Sequence, residues 1–252
     1  MSRILEGLFE RRYQPALVAQ LERATGLSFV RLFKAADSTP LLVGCGADWR
    51  ACSVPLASYL ETLRAGGEPD RRYLVFFLQF RALEALRRRT RHQPDGIVAP
   101  WYRAPLELAA DRRTGRSQHD TLLDLRSVGA GPVCYAVPRI VEPDALYAPA
   151  RADDLLLVPV ERVVADLGVP ALVLQGSHAE PRWSWSPFPA PRLTPASWAN
   201  QRTRSGPELL ALIERAARVT SDQPDLFEDA RALPPSLTII ELSEQSHADT
   251  PL

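Results

Sequence analysis

The sequence lacks the markers of a secreted or membrane-bound protein. Its three cysteines, Cys45, Cys52 and Cys134, are an odd number without paired spacing, which argues against a disulfide framework and against a zinc site. The N-terminus has no continuous apolar core like that of a signal peptide, and no apolar run approaches the roughly 20 residues of a membrane span. The sequence therefore predicts a cytoplasmic protein.

An excess of charge of one sign is missing as well. Thirty basic residues balance thirty acidic ones, so any affinity for nucleic acid must come from a local patch. The glycine-rich and nucleophile motifs of nucleotide-binding proteins and serine hydrolases are absent. Lysine is almost missing too, since Lys34 is the only lysine in the chain.

The chain does contain an alternation of strand-like and helix-like segments. The clearest is RYLVFFLQF at 72–80, whose apolar run predicts a strand buried on both faces. Strong helix formers in RALEALRRRTR predict a helix directly after it, at 81–91. Such alternation predicts an α/β fold with a mixed central sheet flanked by helices. The other predicted elements are one or two helices over 3–24, divided or restarted at Pro15, paired strands at 27–33 and 40–46, a helix at 55–66, strands at 101–110, 131–141, 153–164 and 171–178, helices at 117–129 and 206–219, and a short helix at 143–150.

Composition divides the chain into a core, an arm and a tail. Residues 1–180 carry the alternating pattern and predict the α/β core. Residues 181–242 contain RWSWSPFPAPRLTPASW and a helical segment, which predict a Pro/Trp-rich arm and a C-terminal helix that pack on the core. Residues 243–252 are polar and predict a disordered tail.

Four short motifs in a fixed order carry a resemblance to known proteins. They are FFLQFR at 76–81, WYRAPLEL at 101–108, SQHDTLLDL at 117–125 and VCYAVP at 133–138. The set resembles bacterial proteins with a core like that of the PD-(D/E)xK nucleases, some of them encoded beside phage-defence genes. The resemblance implies a restriction-endonuclease-like core and a nuclease-like protein of a bacterial defence or DNA-processing system.

The resemblance also implies a site. In that family an acid and a Glu or Gln hold Mg²⁺, and a lysine two residues further on orients the attacking water. The matching positions are Asp48, Gln79 and Arg81, with Glu10 or Glu6 on the first helix as a further ligand. Arginine stays charged and binds phosphate as a fork instead of tuning a water. Arg81 therefore predicts a degenerate metal site that serves nucleic-acid or partner binding, and Mg²⁺-dependent hydrolysis is expected only if the site is active.

The basic segment after the strand at 72–80 offers a route to nucleic acid. Arg87, Arg88, Arg89 and Arg91 are predicted to contact phosphates. A solvated helix end is the alternative, because cations also suit the C-terminal end of a helix dipole. The sequence leaves both interpretations open.

SQHD at 117–120 contains the residue types of an acyl-transfer triad. Residues this close in one helix cannot form triad geometry by themselves. Ser117 is better explained as a helix cap. His119 is interpreted as a buried, hydrogen-bonded histidine, with a role in a site as the alternative.

The arm carries three tryptophans, Trp183, Trp185 and Trp198, among prolines. They form either a lid over the core or a surface that docks a protein partner. The second interpretation gives the alternative function, a non-enzymatic interaction subunit that docks through the arm and the C-terminal helix.

Overall fold

A computed structural model gives the fold of residues 2–34, 65, 71–88, 101–106, 117–129, 131–140, 147–151, 154–163, 171–175, 184–185, 201–220 and 237–243. Within these ranges the helices are α1 (Ser2–Thr25), α2 (Gln118–Ser127) and α3 (Gly206–Thr220). None of them is long and apolar enough to cross a membrane. The strands are β1 (Ser28–Lys34), β2 (Arg72–Phe80), β3 (Glu84–Leu86), β4 (Trp101–Pro105), β5 (Val133–Pro138), β6 (Leu155–Pro159), β7 (Ala171–Gln175), β8 (Ser184–Trp185), β9 (Arg204–Ser205) and β10 (Leu237–Ser243).

The larger of two sheets has the strand order β1-β10-β2-β5-β6, and β9 pairs with the start of β2. Strand β2 runs parallel to β5 and antiparallel to β10, so the sheet is mixed. All residues of β2 after the first are buried, as its continuous apolar run predicts. The predicted α/β class with a mixed central sheet is therefore confirmed. The smaller sheet has the order β3-β4-β7-β8.

Side-chain alternation along β2 divides the apolar core into two layers. Leu74, Phe76 and Leu78 lie in the layer under α1. Helix α1 contributes side chains that recur mainly at four-residue intervals, which places them on one side of the helix. These side chains are Phe9, Tyr13, Leu17, Val18 and Leu21.

The second layer lies on the opposite face of the sheet. It contains Tyr73, Val75 and Phe77 of β2 together with Leu122 of α2 and Leu209 of α3. From Tyr73 to Leu78, odd-numbered side chains of β2 therefore point toward α2 and α3, and even-numbered ones point toward α1.

The parallel pairing of β2 and β5 requires a glycine where the chain enters β5. A Cβ atom on Gly131 would lie 2.0 Å from the carbonyl oxygen of Val75. The next residue, Pro132, accepts a hydrogen bond from the Phe77 N–H at 2.9 Å. Glycine permits this close approach of two backbones, and any larger residue would push the strands apart.

The predicted helix at 81–91 is wrong over the described residues 81–88, because residues 84–86 form β3 and residues 81–83 are irregular. Leu83 is buried in the second core layer, and Glu84 pairs with Arg103 of β4 in register and in a 2.8 Å ion pair. These contacts with distant parts of the chain outweigh the intrinsic preference of the segment for a helix, which is roughly a few tenths of a kcal/mol per residue.

A break or restart at Pro15 is also wrong, since α1 runs unbroken through this residue. Proline removes one helical hydrogen bond at a cost of about 3 kcal/mol. Tyr13, Leu17 and Val18 are buried against the sheet on both sides of it, and this packing holds the helix together.

Several predictions are confirmed and others lie outside the described residues. The strands at 27–33, 131–141, 153–164 and 171–178 correspond to β1, β5, β6 and β7, and the helices at 117–129 and 206–219 correspond to α2 and α3. The strand at 40–46 and the helix at 55–66 lie outside the described residues. Residues 237–243, for which no strand was predicted, form β10 between β1 and β2.

Candidate functional site

Gln79 lies near the carboxyl end of β2, where sequence reasoning predicted a catalytic residue. Its side chain is fully buried and, being odd-numbered, points toward α2. The Gln79 Oε1 atom accepts a hydrogen bond of 3.2 Å from Gln118 Nε2 at the start of α2. The Gln79 amide nitrogen donates to the Phe80 carbonyl oxygen at 3.2 Å. Gln79 therefore links the sheet to a helix.

Arg81 follows β2 and is also enclosed, with only 3% of its surface exposed. Its backbone N–H donates to the Ala136 carbonyl oxygen at 3.0 Å and so continues the β2–β5 ladder beyond the end of the strand. The Nε and Nη2 atoms of its guanidinium are buried inside the protein.

His119 makes a second link between α2 and the sheet. Its Nδ1 atom lies 2.9 Å from the Tyr135 hydroxyl of β5, and both residues are buried. Burial is the main cause that lowers the pKa of His119, against smaller opposing effects of Asp120 and a hydrogen bond with the Val163 backbone. The neutral form of the His119 ring is therefore favoured in the folded protein.

Ser117 and Asp120 form a capping box at the start of α2. The Ser117 Oγ accepts from the Asp120 N–H at 3.1 Å, and Asp120 Oδ2 accepts from the Ser117 N–H and hydroxyl at 3.2 and 2.6 Å. The predicted cap at Ser117 and the predicted buried, hydrogen-bonded His119 are both confirmed. Because Asp120 bonds Ser117 and His119 bonds Tyr135, these three side chains do not form an acyl-transfer triad.

The described neighbours of Gln79 do not fit a magnesium site. In the sheet register Gln79 lies beside Leu237 of β10 and Tyr135 of β5, and Mg²⁺ prefers carboxylate oxygens. No group of three or more metal-ligating side chains occurs among the residues that the structure describes. Asp48 lies outside the described residues.

Helix α1, which carries Glu10, packs on the even-numbered face of β2, whereas the Gln79 side chain is bonded to α2 on the other face. The sheet therefore lies between the helix that carries Glu10 and the helix that Gln79 contacts.

The other predicted binding residues are described only in part. Arg87 and Arg88 are exposed just after β3, outside any helix. Trp185 lies in β8, which pairs with β7. Arg89, Arg91, Trp183 and Trp198 lie outside the described residues.

Sequence reasoning missed a cluster of cations at the amino end of β2, which we call the arginine surface: Arg71, Arg72, Arg202 and Arg204. Strand β9 pairs with the start of β2 so that Arg72 lies opposite Ser205 and Tyr73 opposite Arg204. This pairing joins two segments that are about 130 residues apart in the sequence. Only the dipeptide Arg71–Arg72 and the short segment RTRS at 202–205 hinted at it.

Hydrogen bonds orient two members of the arginine surface. Arg72 donates from Nε to the Thr203 hydroxyl at 3.2 Å and from Nη2 to the Thr203 carbonyl oxygen at 2.8 Å. Arg71 donates from Nε to the Ser243 hydroxyl at 2.8 Å. These bonds fix the side chains of Arg71 and Arg72 before any ligand arrives.

The other two members extend the surface. The Arg204 guanidinium lies against Gly129, the residue with positive φ that follows α2. Arg202 is the most open of the four, with a side chain that is 72% exposed, and the Arg72 side chain is 41% exposed. The arginine surface is therefore open to solvent, whereas Gln79 is not.

One carboxylate faces the arginine surface. Glu208, in the first turn of α3, lies 3.8 Å from Arg72 Nη2 and 3.9 Å from Arg202 Nη2. Its Oε2 atom accepts a 2.9 Å bond from the Ser205 N–H, and its own N–H donates to the Ser205 hydroxyl at 3.4 Å. The bond from the Ser205 backbone is the main cause that lowers the pKa of Glu208, and the two arginines add to it. Glu208 is therefore ionised at neutral pH.

Comparison of this chain with protein-family models, curated proteins and solved structures finds no match. Its function is consequently argued from the chemistry of the two ends of β2.

Proposed function

We propose that the protein is a nuclease-like module of a bacterial defence or DNA-processing system that binds nucleic acid without cleaving it. The observation that carries the binding proposal is the arginine surface, in which Arg72 and Arg202 face Glu208 and both side chains are partly open to solvent. The nuclease-like descent and the biological setting rest on the four ordered sequence motifs. A cytoplasmic location is proposed from the three cysteines, which lack paired spacing.

The chemistry of the arginine surface suits phosphate. A guanidinium presents its donors in a planar fork that matches two phosphate oxygens, and it is more weakly hydrated than an ammonium group. Cations that neutralise phosphates also release counterions, which supplies most of the sequence-independent affinity for nucleic acid. Since Thr203 already orients Arg72, little side-chain entropy would be lost on binding.

The burial of Gln79 and Arg81 supports binding in place of cleavage. A phosphodiester must reach the ligands and the attacking water of a nuclease site. Gln79 is enclosed and bonded to Gln118, and its described register neighbours are Leu237 and Tyr135. We therefore expect no cleavage that depends on Gln79.

The binding proposal is tested with labelled single-stranded and duplex oligonucleotides, whose fluorescence anisotropy reports binding. We expect the Arg72→Gln/Arg204→Gln variant to bind about tenfold more weakly or worse and to have a salt slope lower by about 2, because two phosphate contacts are lost. The comparison variant is Arg87→Gln/Arg88→Gln, which removes two exposed cations of the segment that the sequence predicted to contact phosphates. We expect a smaller loss of affinity there than in Arg72→Gln/Arg204→Gln. Circular dichroism verifies that both variants are folded.

Three outcomes would overturn the proposal. Absence of binding by the wild type at low salt is the first, and equal losses in the two double variants are the second. The third is equal affinity for poly-glutamate of matched charge, since that would assign the surface to acidic polypeptides. The non-cleaving part fails if Mg²⁺ or Mn²⁺ supports cleavage that disappears in Gln79→Ala.

A further inference from the structure

The position of Glu208 within the arginine surface points to a role in setting its affinity. The Glu208 carboxylate approaches Arg72 with Oε2 and Arg202 with Oε1. Two oxygens of one anion thus face two guanidinium groups, which is the arrangement that a bound phosphate would need to replace. We propose that Glu208 is an internal competitor, which occupies the anion position of the arginine surface and weakens nucleic-acid binding. This inference rests on the proposed function.

The two contacts of Glu208 with arginine are weak enough to be exchanged. At 3.8 and 3.9 Å they exceed the distance of about 2.7–2.9 Å at which charge-assisted hydrogen bonds form. The Glu208 side chain is 45% exposed, and an exposed ion pair at such a distance contributes little to stability. An incoming phosphate can therefore take over Arg72 and Arg202 without disrupting the fold.

The helix start keeps Glu208 in this position. Ser205 and Glu208 bond each other reciprocally as a capping box, so the carboxylate stays beside the arginines. Glu208→Gln retains an oxygen that can accept from the Ser205 N–H, and it removes only the charge. The substitution thus separates competition from helix capping.

The test compares Glu208→Gln with Glu161→Gln in the same anisotropy assay. Glu161 makes a similar exposed ion pair with Arg126, at 3.0 Å, beside α2. Each substitution removes one negative charge, so the overall charge of the two variants is equal. We expect Glu208→Gln to bind about fivefold more tightly at low salt, as removal of one unit charge within a few ångströms of a phosphate predicts. Glu161→Gln should change affinity less than about twofold, because Glu161 pairs with Arg126 and not with Arg72 or Arg202.

The gain should also depend on the two arginines that Glu208 faces. In an Arg72→Gln/Arg202→Gln background, the added Glu208→Gln substitution should change affinity much less than it does in the wild type. The inference is overturned if Glu208→Gln binds no more tightly than Glu161→Gln, or if its gain persists in that background. If neither the wild type nor Glu208→Gln binds nucleic acid, the proposed function itself fails. Binding that is lost in Arg72→Gln/Arg204→Gln but unchanged in Glu208→Gln overturns this inference alone.

Discussion

The two ends of strand β2 carry polar residues of similar type, but those at the carboxyl end are buried and those at the amino end are exposed to solvent. At the carboxyl end, Gln79 and Arg81 are 0% and 3% exposed, and Gln79 bonds other parts of the fold. At the amino end, Arg72 and Arg202 are open and face solvent. A sequence motif therefore identifies a position in the chain, but only its exposure to solvent decides whether the residue there can bind a ligand.

The energetic consequences of the two ends differ as well. Removing one partner of a buried hydrogen bond leaves the other partner unsatisfied, at a cost of about 1–3 kcal/mol. Exposed cations contribute little to folding but attract phosphate at a distance. The carboxyl end should therefore respond to mutation through stability, and the amino end should respond through binding.

The largest expected effect tests the parallel pairing that buries the carboxyl end. Gly131→Ala would place a methyl group 2.0 Å from the Val75 carbonyl oxygen, and both strands are core backbone that cannot move cheaply. We expect unfolding in urea to show a loss of about 3 kcal/mol. The control is Gly26→Ala, where φ is +71° but no atom lies within 4 Å, and which should cost about 1 kcal/mol. Equal losses would contradict the observed approach of β5 to β2.

The next prediction concerns the buried amide at the carboxyl end. Gln79→Ala removes the acceptor of the Gln118 amide and leaves a cavity, so the free energy of unfolding should fall by about 2 kcal/mol. Affinity for nucleic acid, measured below the new midpoint of unfolding, should stay that of the wild type. If the variant kept its stability but lost affinity for nucleic acid, Gln79 would belong to the binding site and the prediction would be wrong.

The free energy of unfolding should also depend on pH through His119, which bonds Tyr135 near the carboxyl end of β2. The pKa of His119 is lower in the folded chain than in the unfolded chain, so the unfolded state binds the extra proton first as the pH falls. The stabilisation is complete above the unfolded pKa of about 6.5 and is lost below it. Urea midpoints between pH 7.5 and 5.5 should fall more steeply for the wild type than for His119→Gln. Parallel pH profiles would show that His119 does not titrate in this way.

The smallest effect on stability is expected at the amino end. Arg202→Gln should change the free energy of unfolding by about 0.5 kcal/mol or less, because its side chain is mostly in water. The same substitution should weaken nucleic-acid binding measurably. A large loss of stability in this variant would contradict the expectation that mutations at the amino end of β2 affect binding more than folding.

Local sequence signals predicted the elements that depend on nearby residues. The apolar run of β2 is buried on both faces, and Ser117 caps α2 three residues before Asp120. The helix predicted at 81–91 failed because Glu84 and Arg103 pair across 19 residues of sequence. Strand β10 was not predicted, since its place between β1 and β2 depends on pairing with residues more than 150 positions away.

The candidate sites, too, were predictable only as far as they depend on residues close together in the sequence. The sequence indicated that Gln79 and Arg81 stand where an apolar strand ends, and this is where the structure places them. It could not indicate that α2 encloses Gln79, because that bond joins residues 39 positions apart. The sequence could not predict the arginine surface either, because it joins two distant segments and neither Arg71–Arg72 nor Arg202–Arg204 is unusual alone.

The sequence by itself determined the apolar β2 strand, the cap of α2, the helix α3 and the balance of charge. These properties follow from side-chain chemistry and spacing within one element. The tertiary structure alone decided which polar residues are buried and which face solvent, because the pairing of β9 and β5 with β2 joins segments that are distant in the chain. Pairing at one end of β2 enclosed Gln79, and pairing at the other end brought four arginines together.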